Sequence, residues 1–177
     1  MNHKDFGIDL GTKHIKIYKG HEGIAYDAKN VIALSEIGEI LAYGDEAYDM
    51  YEKTPYTITI SFPISDGVIA NVTDMTRYLE WIFTNVFPAK LGKKNFYIAV
   101  PTNITDVEKR AFISLINDAA IKTRNISIVE KPIADACGLG IDVLNNKGNL
   151  IVDIGAKTTE ITVISMGGIV YSRLIKT

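Results

Sequence analysis

An apolar run that ends in an aspartate followed two residues later by a glycine occurs twice in this chain, and this repeat restricts the possible folds more than any other feature. The first copy is Phe6-Gly7-Ile8-Asp9-Leu10-Gly11-Thr12-Lys13, and the second is Leu150-Ile151-Val152-Asp153-Ile154-Gly155-Ala156-Lys157. Asp9 matches Asp153, Gly11 matches Gly155 and Lys13 matches Lys157, each 144 positions on. Gly23-Ile24-Ala25-Tyr26 then returns as Gly168-Ile169-Val170-Tyr171, one residue out of step. Each unit reads as strand, tight turn, strand, hairpin, strand. A carboxylate at such a turn can hold hydrated Mg²⁺, and glycine lets turn amides approach phosphate oxygens. Two hairpins sharing turn chemistry by chance is the bland alternative, and the later matched segment argues against it.

Between the repeats the periodicity changes. Val31 to Leu34 and Ile40 to Tyr43 read as a hairpin, Glu46 to Tyr51 as a short helical turn, and Thr57 to Phe62 as an alternating strand. Asp66-Gly67 is a turn before a helix capped by Thr73 or Asp74, with Met75, Tyr78, Leu79, Ile82, Phe83 and Val86 as its apolar stripe. Trp81 falls just outside that stripe, as a rim residue. Phe96 to Val100 is a continuous apolar strand, suited to a sheet covered on both faces. Thr105-Asp106-Val107-Glu108 is a capping box opening a helix that buries Phe112, Leu115, Ile116 and Ala119. Ile126 to Val129 is the next strand, and Pro132 suits the first turn of a helix ending at Gly138 or Gly140. The fold class is therefore α/β. Residues 1–31 and 67–144 form a first domain, 32–66 a small β-rich insertion, and 145–177 the opening meander of a second domain.

Several function classes fall away on composition. The formal net charge of −2 supplies no basic field for nucleic acid. The lone Cys137 cannot form an intramolecular disulfide, which fits a reducing cytosol. His3, His14 and His21 have no cysteine cluster beside them, so zinc is disfavoured. No apolar run is long enough to span a bilayer, and no signal peptide is evident.

The residues also carry a family signal. Gly7-Ile8-Asp9-Leu10-Gly11-Thr12, Asp66-Gly67-Val68-Ile69-Ala70, Thr105-Asp106-Val107-Glu108-Lys109-Arg110, Glu130-Lys131-Pro132 and Val152-Asp153-Ile154-Gly155 together resemble the first half of the MreB family of bacterial actin homologues. The resemblance implies an actin-like, ribonuclease H-like first domain and a role in rod cell shape. It implies an ATP cleft in which Asp9 and Asp153 flank Mg²⁺, Gly11, Thr12 and Gly155 line the phosphates, and Thr158 positions the attacking water. Three loops depart from the family pattern. Lys13, His14 and Ile15 replace the last three members of the first loop, and Ala156 and Lys157 replace two glycines of the second. Lys131 stands where the family has its catalytic glutamate, and an ammonium cannot accept a proton from water.

The resulting expectation is a half-length, degenerate member of the family. It would act as a structural or interaction module in the cytoplasm, at the inner face of the cell membrane, and not as an enzyme. The competing readings are an ATP-binding filament subunit whose slow ATPase is completed by a partner, and a phosphate sensor using the lysine-lined loops. Three further expectations follow. At least one of Lys13, Lys131 and Lys157 should replace the metal's charge beside Asp9 or Asp153. The stretch Phe87-Pro88-Ala89-Lys90-Leu91-Gly92-Lys93-Lys94 should touch a membrane surface. Residues 149–176, apolar on both faces, should be completed from outside by self-association or by a cytoskeletal or envelope partner.

Overall fold

The computed structural model describes residues 4–53, 55–87 and 92–176. The N-terminal meander runs β1 (Asp5–Leu10), β2 (His14–Lys19) and β3 (Gly23–Lys29). It is followed by β4 (Ile32–Ser35), β5 (Ile40–Tyr43), α1 (Gly44–Met50) and β6 (Ile58–Ser61), then by the two-residue strands β7 (Ile64–Ser65) and β8 (Val68–Ile69). Helix α2 (Val72–Asn85), strand β9 (Lys94–Val100), helix α3 (Asp106–Asp118), strand β10 (Thr123–Glu130) and helix α4 (Lys131–Gly138) come next. The second meander closes the chain as β11 (Asn149–Ile154), β12 (Thr158–Ser165) and β13 (Gly168–Lys176).

The main sheet has the order β10-β9-β1-β2-β3. Strand β1 is central, parallel to β9 on one side and antiparallel to β2 on the other. Its apolar residues Phe6 and Ile8 are buried, with Ile15 and Ile17 beside them on β2, Phe96 and Ile98 on β9, and the α2 stripe against this core. The remaining strands form separate sheets, β5-β4-β6 and β11-β12-β13, with β7 and β8 as a lone pair.

Most local expectations hold. The capping box of α3 is complete: Glu108 N donates to Thr105 Oγ1 while Glu108 accepts from the Thr105 amide. Trp81 lies at the rim, but it stacks face-on over Tyr43, ring centroids 4.7 Å apart, rather than presenting an edge. Strand β10 runs further than Ile126 to Val129. The α2 cap is neither Thr73 nor Asp74 but Asn71, whose Oδ1 accepts from Asp74 N at 3.0 Å. Asp74 reciprocates from the third helical position, its Oδ2 accepting from Asn71 Nδ2 and from Ser61 Oγ.

The membrane stretch needs a larger correction. Pro88, Ala89, Lys90 and Leu91 lie outside the described residues. Phe87 is only 4% exposed, with its ring 5.3 Å from those of Phe6 and Phe83, so it is a core residue. Lys94 is 3% exposed, and burial, with Lys122 nearby, holds its ammonium below the usual lysine range.

The C-terminal meander is also less bare than its two apolar faces imply. Ala136 of α4, with Ile133, Ile141 and Val143, packs onto Ile151 and Ile164, so the chain covers one face itself. The other face is open. Leu150, Val152 and Ile154 on β11 and Tyr171 and Ile175 on β13 are exposed. Strand register sets Leu150 opposite Val163, Val163 opposite Tyr171, and Val152 opposite Ile161, on that same face.

Candidate functional site

The two repeats end in the same turn. Gly11 N donates to His14 O at 3.0 Å, and Gly155 N donates to Thr158 O at 2.8 Å. A β-carbon on Gly11 would stand 2.8 Å from His14 O, and one on Gly155 would stand 2.9 Å from Thr158 O. Neither glycine is required for a positive φ; both are required for close backbone approach. Both glycines line the cleft, and the amide of each closes its own turn. The amides that follow, of Thr12 and Lys13 and of Ala156 and Lys157, are not used in this way. Buried Asn30 braces the first turn, its side-chain amide donating to Gly11 O at 2.8 Å while its own N–H reaches Lys13 O. His14, in the same turn, links Asp27 at 2.9 Å to Lys29 at 2.8 Å.

Because the turns are equivalent, the aspartates that precede them hold equivalent places at the ends of β1 and β11. Helix α4 begins between them. Its first residue, Lys131, places Nζ 3.0 Å from Asp153 Oδ2 and 3.7 Å from Asp9 Oδ1. The three side chains are 23%, 29% and 33% exposed in the order Lys131, Asp153, Asp9, so the bridge is neither dry nor fully solvated. Burial alone pushes the Lys131 ammonium down, but Asp9 and Asp153 outweigh it and leave its pKa raised. Glu130, the preceding residue, is exposed and does not line the cleft.

All nine residues singled out from the sequence line one cleft of about 960 Å³: Asp9, Gly11, Thr12, Lys13, Lys131, Asp153, Gly155, Lys157 and Thr158. They do not all converge. Of the three lysines, Lys131 alone meets the carboxylates. Lys13 and Lys157 are exposed and make no ion pair among the described residues. Thr158 starts β12, and its carbonyl is occupied by the turn.

Two acidic residues were missed. Asp135 sits one turn along α4 from Lys131, and its Oδ2 is buried without a hydrogen-bond partner. Burial, reinforced by Asp153, pushes its pKa up to about 6. The signal was helical spacing, since residues four apart share a face. Glu160 is 4% exposed and accepts from Thr102 N at 3.1 Å and Ser172 Oγ at 3.2 Å. Burial raises its pKa, and these two hydrogen bonds oppose the rise. Glu160 pairs with Asp153 across the hairpin, a register that the tight turn already dictates. Thr102 follows β9, so Glu160 fastens the second meander to the main sheet.

This geometry does not suit a divalent cation. A carboxylate pair binds Mg²⁺ through its oxygens and several waters. Here an ammonium stands within 4 Å of both carboxylates, and no cluster of three or more metal-ligating side chains exists among the described residues.

Comparison with known proteins follows the same line. The family described as MreB/Mbl protein matches residues 3–177. The cell shape-determining protein Mbl of Bacillus subtilis is 40% identical over 178 residues, covering 98% of this chain and 52% of the relative. The cell shape-determining protein MreB of Haemophilus influenzae is 34% identical, covering 97% and 50%. The chain thus spans about half the length of the curated relatives it matches. Among solved structures, MreB5 of Spiroplasma citri bound to ADP superposes with a TM-score of 0.90 at 31% identity, covering 97% of this chain and 51% of that one. A MamK double helical filament gives 0.77 at 21% identity and 98% and 54% coverage, which speaks for the fold alone. The fold is actin-like.

Proposed function

Because the chain belongs to the MreB/Mbl family, we propose that it is a structural module of a bacterial cell-shape cytoskeleton, working in the cytoplasm and hydrolysing no ATP. One observation carries this reading: Lys131, where the resembled family has its catalytic glutamate, is tied to both aspartates. An ammonium so held can neither accept a proton from water nor orient it as a carboxylate does. Loss of such a group costs on the order of 10²–10⁴-fold in rate. The test is phosphate release from MgATP by the isolated chain. None above buffer is expected, and steady release abolished by Asp9→Ala would overturn the reading.

In this proposal residues 1–31 and 67–144 form the first domain, 32–66 its insertion and 145–177 the start of a second. Self-association uses residues 149–176, through the open face and not the face that α4 covers. Light scattering on the full chain should then give a mass above the monomer, reduced by Leu150→Glu with Val152→Glu. A monomeric wild type would remove the self-association.

A second reading has its own support. The cleft lies between the two turns, and the similar MreB5 is solved with ADP and with AMPPNP. Under it the chain binds nucleotide and is a filament subunit whose slow hydrolysis needs a partner.

A further inference from the structure

We infer that Lys131 permanently holds the place of a divalent cation between Asp9 and Asp153, so that the cleft excludes metal and meets any phosphate-bearing ligand with lysines alone. The phosphate half of this inference rests on the nucleotide-cleft reading above; the metal half does not.

The argument begins with space and charge. Nζ lies 3.0 Å from one carboxylate and 3.7 Å from the other, so the ammonium occupies the space between them that a bridging ion would take. A divalent ion entering that volume would meet a fixed positive charge a few ångströms away, at a partly buried site where screening is weak. The lysine cannot easily leave. It is the first residue of α4, immediately before Pro132, and departure would strand two facing carboxylates, with Asp135 unpartnered nearby. A tethered ammonium also pays no entropy of capture, unlike an ion drawn from solution.

The charge balance then identifies the ligand. One ammonium leaves the pair of carboxylates with one negative charge uncompensated, whereas a divalent ion would neutralise it. The deficit is made up at the rim. Lys13 and Lys157 occupy twin positions in the two turns, exposed and unpaired among the described residues, and both line the cleft. With Lys131 they set three ammoniums along the cleft beside the Asp9 and Asp153 carboxylates, while Glu160, which also lines it, is spent on Thr102 N and Ser172 Oγ. Lys131 has three donors, so one remains after its two carboxylate contacts.

Manganese is the direct probe, because its free ion is counted by electron paramagnetic resonance. The full-length wild-type chain should leave added Mn²⁺ free through the millimolar range. Lys131→Gln should gain a Mn²⁺ site, with affinity up at least about tenfold, and adding Asp153→Asn should remove it. Lys131→Arg keeps the charge and should stay metal-free. Submillimolar Mn²⁺ binding by the wild type that disappears in Asp153→Asn overturns the inference, and so does a folded Lys131→Gln variant that gains no site. Should Lys131→Gln fail to fold, the wild-type and Lys131→Arg titrations still decide. A calorimetric titration with ADP, in EDTA and in excess Mg²⁺, addresses the ligand. Equal affinity in the two buffers supports lysine-only recognition, and a tenfold or greater loss in EDTA refutes it. No heat in either buffer sinks the nucleotide-cleft reading and leaves the metal question to the manganese measurement.

Discussion

Asp135→Asn should stabilise this protein at neutral pH, and the gain should vanish in acid. In the wild type, burial first and Asp153 second push the Asp135 pKa up to about 6 from an ordinary value of 3.8. Lys131, four residues earlier, pulls the other way and loses. A carboxyl raised on folding is at ease when protonated. Wild-type stability from this group is therefore intact below about pH 4, declines as pH rises to about 6, and stays reduced above that. A shift of about two units sets a ceiling of roughly 3 kcal/mol, at 1.36 kcal/mol per unit. The side chain is only partly enclosed, so solvent screening lowers this to about 1–2 kcal/mol. Asparagine has the same shape and cannot ionise. Urea unfolding of both proteins across the range, with the variant-minus-wild-type difference plotted against pH, cancels every other titration. The difference should favour asparagine by about 1–2 kcal/mol near neutrality and close toward about pH 4. A difference constant with pH, or one growing toward acid, would refute the reasoning.

The turn glycines and Phe87 give two further tests. Gly155→Ala puts a β-carbon 2.9 Å from Thr158 O and strains the bond that the Gly155 amide makes to that oxygen, so a loss of about 1–3 kcal/mol is expected, read as a Tm drop of several degrees; an unchanged Tm would show that the turn relaxes freely. Phe87→Ser empties a site packed on Phe6 and Phe83 and should cost about 3–5 kcal/mol in urea unfolding, so lost vesicle binding by this variant would report unfolding, and undiminished stability would reopen a surface role for Phe87.

What the sequence revealed follows what is local. The matched turns were legible because an Asp, a Gly and a Lys at fixed offsets record backbone needs within a few residues. The α3 cap was legible for the same reason. The α2 cap was not, because Asn71, Thr73 and Asp74 are all cap formers. What decided between them was Ser61, on β6, which donates to Asp74 and holds it at the third helical position. Lys131 was recognised as out of place, but the choice between it, Lys13 and Lys157 required the direction of α4. Glu160 and Asp135 were recoverable by pairing and helical spacing. Phe87 was misread because an apolar residue among lysines looks the same whether it faces lipid or core, and only the position of Phe6 across the sheet distinguishes the two.

The internal repeat also identifies what the second meander lacks. In the main sheet β1 is flanked on both sides, by β2 and by parallel β9. Its counterpart β11 pairs with β12 alone among the described residues, and the edge that corresponds to the β9 side stays open. Inward-facing residues of the meander are held three ways: by the Lys131 bridge, by Glu160 on Thr102, and by the Ala136 contact beneath Ile151 and Ile164. The meander is thus anchored on one face and unfinished on the other and along one edge. An open edge offers a ready template for another strand, and an open apolar face next to it adds area to the same contact. Both features lie on β11, beside Leu150 and Val152, and the same strand carries Asp153 and ends at the cleft-lining Ile154. An association along β11 would therefore bear on the strand that holds Asp153 against Lys131.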